Sequence, residues 1–141
     1  MAAQAATEPA VSRPDPLPGW VRVTGGVLVG AAAVETALLE VFYVPLRSGR
    51  TPLPVSVLAA LGLNVLLPRL MYAATRSRWA TALPAGLWLV VVVGLSIGRP
   101  EGDVVLPGDW VGLALLFGGA AAAAYGVARA LPPPQRRPRP P

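Results

Sequence analysis

The chain contains no cysteine, no histidine and no lysine. The missing cysteine excludes disulfides, thiolate nucleophiles and iron–sulfur ligation. The missing histidine removes the imidazole base and His-ligated haem, and leaves carboxylates as the side chains that could hold a metal. Charge of either sign is scarce too. Only 13% of the residues are charged, against about 25% in an ordinary soluble domain.

What is there is apolar. Fifty-four per cent of the 141 residues are hydrophobic, gathered in runs of about 20, the length that crosses a bilayer. All twelve basic residues are arginine, and Ala, Gly, Pro and Val abound, the usage of a high-GC bacterial gene. The net charge is +5, but the arginines are spread between apolar runs. An anionic lipid surface fits that distribution better than nucleic acid does. No cofactor is implied.

One membrane domain of four helices is expected at 20–131, an all-α integral membrane bundle between two tails. Residues 1–19 carry four prolines and no periodicity, so they read as a disordered tail. They lack the basic start and apolar core of a signal peptide. Residues 132–141 are a Pro/Arg tail of polyproline character. The predicted helices are 20–44, 53–74, 80–98 and 110–131. Trp20 and Tyr43 suit the two interfaces of the first helix. No strand is expected.

Glu35 is the sharpest residue of the first helix. At ~1.5 Å rise per residue it lies about one turn or less from mid-span. An ionised carboxylate there costs roughly 2.5 kcal/mol or more, so Glu35 is expected to face the bundle interior or water. Three readings stand: a proton or cation site, a carboxyl that ties two helices together, or one tilted towards the outer headgroups. Glu40 lies five positions on, about 140° around the helix, and is placed among the headgroups. In the second helix Asn64 sits four residues before Pro68. Proline lacks an N–H, so the Asn64 carbonyl loses its intrahelical donor. Asn64 is the expected partner of Glu35, as a kinked substrate contact or a packing feature. Arg69 is close enough to the end of its span to snorkel.

Small residues give the packing pattern. Gly26 and Gly30 form a GxxxG pair, and Gly118, Ala122 and Gly126 recur every fourth residue. Such stripes let helices approach closely, so the last helix is expected to pack on the Gly26/Gly30 face of the first. Three of the seven acids, Glu101, Asp103 and Asp109, fall in the polar connection between the third and fourth helices. It opens Arg99-Pro100-Glu101-Gly102-Asp103, and Pro100 and Gly102 suit a type I turn. Asp109 is placed to cap the last helix. This loop reads as a partner- or cation-binding segment, or as a rigid turn with an Arg–carboxylate bridge.

Arginine counting sets the orientation. With the N-terminus inside, nine arginines fall on the inner face and three, Arg47, Arg50 and Arg99, on the outer. Both termini are therefore expected in the cytoplasm, in a multi-pass protein of the plasma membrane. No serine–histidine pair, membrane aspartyl-protease motif or phosphate loop is found, so an enzyme is not expected.

The Arg99–Asp103 run, set between an apolar third helix and a Gly/Ala-rich fourth, resembles a group of uncharacterised four-helix integral membrane proteins of actinobacteria. The resemblance covers about residues 20–131 and implies the membrane topology and an outward loop. The leading expectation is a non-enzymatic accessory or scaffold subunit that meets a membrane partner or its own copies. The alternative is a small proton-linked carrier using Glu35, similar to the small multidrug resistance transporters. These also have four helices and one membrane glutamate in the first, but the strong arginine asymmetry does not suit the antiparallel dimers many of them form.

Overall fold

The computed structural model describes residues 17–97 and 110–131. They form a bundle of four α-helices: α1 (Gly19–Tyr43), α2 (Val55–Thr75), α3 (Leu83–Ser96) and α4 (Trp110–Ala130). The Arg99–Asp103 motif, Asp109 and both outer tails lie outside the described residues.

Helix ends follow local chemistry. The Pro18 carbonyl accepts the N–H groups of Val21 and Arg22 at the start of α1. α1 stops at Tyr43, two residues before Pro45; Val44 keeps helical angles, φ −55° and ψ −45°, but Pro45 has no N–H with which to carry the ladder on. α2 ends on Arg76, whose φ of 54° is left-handed and whose N–H reaches the Tyr72 carbonyl at 2.8 Å. That is a helix-terminating geometry usually given to glycine.

Between α1 and α2 the structure departs from the expected plain loop. Two-residue strands β1 (Arg47–Ser48) and β2 (Thr51–Pro52) pair antiparallel, Arg47 with Pro52 and Ser48 with Thr51. Gly49 turns the hairpin at φ 63°, a backbone conformation open to glycine without steric cost. The Leu53 N–H donates to the Leu46 carbonyl at 2.9 Å and closes it.

α1, α2 and α4 are each long and apolar enough to cross a membrane. α3 is shorter than the expected 80–98 span. With the 3-10 turn Ala80–Ala82 before it, the apolar helical stretch is Ala80–Ser96, and Ile97 is already extended. Pro84 lies in the first turn of α3, where its missing N–H is tolerated, and Ala82 and Leu83 before it already have helical angles.

α2 packs against α1, α3 and α4, and α3 packs against α1 and α4, so α1 and α4 sit across from one another. This corrects the expected pairing of α4 with the glycine face of α1. A Cβ on Gly26 would meet Thr75 Cγ2 of α2 at 3.0 Å, and one on Gly30 would meet Leu87 Cδ1 of α3 at 3.6 Å. On α4, a Cβ on Gly118 would meet Leu61 Cδ2 of α2 at 3.7 Å. One on Gly126 would lie 2.8 Å from Val65 Cα and closer still to the Asn64 carbonyl oxygen. Small-residue stripes permit close approach to any helix and do not name the partner.

The buried face of α4 also repeats differently. Gly112, Gly119 and Gly126 are buried at seven-residue spacing, with Leu115 and Ala122 three positions after the first two. Spacings of three and four that sum to seven are the seam of helices crossing at a shallow angle. The four-residue stripe holds only in part: Ala122 and Gly126 are buried, while Gly118 is at the margin.

Candidate functional site

The polar groups inside the bundle are few and come from different helices. On α1, Ala33, Ala37, Glu40, Val41 and Val44 are buried. Glu35 is two positions from both Ala33 and Ala37, about 200° around the helix from each, and it is exposed. This corrects the bundle-interior reading of Glu35 and the headgroup placement of Glu40. Glu35 faces outward with Thr24, Leu28, Ala31, Leu38 and Phe42. Glu40, placed among the headgroups by its depth alone, is 3% exposed.

Trp88 of α3 explains how Glu40 is held. Its indole Nε1–H donates to Glu40 Oε2 at 2.6 Å, and the ring is buried. The far edge of that ring rests on Gly119 of α4, where a Cβ would overlap Cζ2 and Cη2. The Gly119 carbonyl in turn accepts a long hydrogen bond, 3.4 Å, from Asn64 Nδ2 of α2. Glu40, Trp88, Gly119 and Asn64 therefore form one continuous line of contact through all four helices. Glu40 Oε1 has no hydrogen-bond partner.

Asn64 is buried, as expected of a polar residue at mid-span, but its side chain meets α4. Its main-chain carbonyl, freed by Pro68, is the group that Gly126 packs against. Arg69 is exposed. Glu35, Asn64 and Arg69 thus do not gather into one interior site. The residues that do come together were partly hidden in the sequence. Glu40 was signalled by its seven-residue offset from Ala33, which puts it on the small, packed face, whereas depth alone pointed to Glu35. Trp88 and Gly119 carried no polar signal of their own.

At the opposite end of α1, Arg22 serves the end of α2. Its Nε donates to the Thr75 carbonyl at 2.9 Å, and its Nη2 contacts the same oxygen. That carbonyl lies in the last turn of α2, where four C=O groups lack intrahelical donors. A cation there also suits the helix dipole. Thr75 Oγ1 donates to the Met71 carbonyl at 2.7 Å and accepts the Ser77 N–H at 3.2 Å, so the turn into α3 is bonded from both sides.

Among the described residues no group of three or more acids, histidines or cysteines is placed to hold a metal ion. No protein-family model, no curated protein and no solved structure matches the chain.

Proposed function

We propose that this is a multi-pass protein of the plasma membrane that works without catalysis, as an accessory or scaffold subunit beside a membrane partner or further copies of itself. One observation carries the reading: Glu35 is exposed on the outward face of α1. It stands four residues from the middle of that helix, about 6 Å at ~1.5 Å per residue, well within a hydrocarbon layer roughly 30 Å thick. Lipid tails offer a carboxyl nothing, and charged groups at such depth face protein or water. A neighbouring helix that supplies a hydrogen-bond donor satisfies it. Ala31 on the same face lets that helix come close.

The carrier alternative built on Glu35 needs an interior carboxyl, and Glu35 points away from the interior. The polar groups that are interior tie helices together: Glu40 to Trp88 and Asn64 to Gly119.

Purification at native expression in nanodiscs, with the intact complex weighed by mass spectrometry, tests the reading. A stoichiometric partner or defined homo-oligomer is expected, and Glu35→Leu should release it without lowering the thermal midpoint of the bundle. A wild-type chain that purifies alone as a monomer would overturn it.

A further inference from the structure

A groove of about 530 Å³ follows α1 where it meets the end of α2 and the start of α3. On its α1 side Gly19, Gly26 and Gly30 put no side chain into it. Gly19 opens α1 and Gly30 stands one residue short of that helix's middle. At ~1.5 Å rise per residue they lie roughly 16 Å apart. That is about half of a hydrocarbon layer roughly 30 Å thick, the depth of one leaflet. Val23, Val27 and Leu83 also line the groove and are each more than half exposed, so it opens to the surrounding lipid.

Polarity is confined to one end. Arg22 and Thr75 line the groove near the start of α1, whereas Leu87 lies beside Gly30 at the apolar end. Arg22 directs Nε and Nη2 to the Thr75 carbonyl. Its other guanidinium N–H groups have no partner among the described residues. Arg76, the residue after Thr75, is exposed and adds positive charge at the same level. Glu35 and Glu40 are the only acids among the described residues, and both lie past the middle of α1. The polar end of the groove is therefore cationic and unbalanced.

Those two features together describe the occupant. Guanidinium groups bind phosphate through several charge-assisted N–H bonds, and basic pockets between membrane helices take anionic headgroups. A free anion would leave the apolar length of the groove unfilled. A second copy of the chain in the same orientation would bring like charge to the same level.

We infer that the groove binds one anionic phospholipid of the leaflet at the start of α1. Its phosphate meets the unused N–H groups of Arg22, and one acyl chain lies along Gly26 and Gly30. The site requires that the bundle lie in a bilayer, and it is independent of Glu35 and of any partner docked there.

Native mass spectrometry of the full chain in mild detergent tests the assignment. One phosphatidylglycerol per chain should bind, half-saturating at a concentration about tenfold below that of phosphatidylcholine with the same acyl chains. Phosphatidylcholine has the same phosphate but a compensating cation. Arg22→Gln should abolish this preference. Arg129 is exposed and does not line the groove, so Arg129→Gln should keep it. Val27→Trp leaves Arg22 in place but obstructs the groove, and should raise the half-saturating concentration of both lipids several-fold. Equal affinity for the two lipids, equal loss of preference in Arg129→Gln, or displacement by inorganic phosphate would each overturn the assignment. If Arg22→Gln does not fold, Val27→Trp decides, and an unchanged titration rejects the groove.

Discussion

Gly126 shows how little room the bundle leaves at one residue. The Asn64 carbonyl, stripped of its helical donor by Pro68, is met by α4 at a position without a side chain. A methyl group at Gly126 would press on α2 backbone, at 2.8 Å from Val65 Cα, and backbone inside a packed helix cannot rotate aside. Gly118 differs, since a Cβ there would meet only the tip of Leu61 at 3.7 Å, an ordinary contact. Gly126→Ala is therefore expected to destabilise by about 1–3 kcal/mol, the usual overpacking cost. Gly118→Ala should be neutral or stabilising by up to about 1 kcal/mol from helix propensity. Thermal melts in mild detergent compare the two, and equal midpoints would refute the α2–α4 contact.

At the scale of elements, arginine has a role beyond topology. Arg22 joins the start of α1 to the last turn of α2 through the Thr75 carbonyl. Charge–dipole contacts at a helix C-terminus contribute about 0.3–1 kcal/mol when exposed and up to roughly 2 when partly buried. Arg22 is half-buried. Arg22→Gln should lower the melting midpoint and speed hydrogen exchange at the end of α2, while leaving exchange at the hairpin end unchanged. Uniform acceleration along α2 would mean that Arg22 acts on global stability instead. The same scale shows why the α4 stripe misled. Glycines at positions 118 and 126 and alanine at 122 fit a four-residue repeat, but a helix of ~3.6 residues per turn keeps a seam facing its neighbour only with alternating threes and fours.

For the whole molecule, the hairpin and the turn after α2 lie at opposite ends of that helix. From the arginine bias we propose that the hairpin lies outside and the turn in the cytoplasm. The absence of cysteine makes this directly testable. Ser48→Cys should react with an impermeant maleimide in intact cells, and Trp79→Cys, in an exposed position, only after permeabilisation. The reverse pattern would invert the proposed topology. Labelling at both positions in intact cells would show that α2 does not cross.

Composition and run length were enough to define a four-helix membrane bundle and to place three of its helices within two residues, because hydrophobic length and proline or glycine punctuation are local properties. The absence of histidine and cysteine likewise settled which chemistry the side chains lack. Tertiary structure alone decided which face of each helix is inside. A carboxylate's depth follows from its distance along the helix, but whether it is buried depends on rotation about the axis, and that is chosen by the neighbours. For this reason Glu40, and not Glu35, is the buried carboxyl. Tertiary structure also decided which glycine face meets which helix, since close approach demands only small residues, whereas pairing depends on what the other side presents. Here that is a carbonyl freed at Asn64 and an indole at Trp88, groups contributed by helices far apart along the chain.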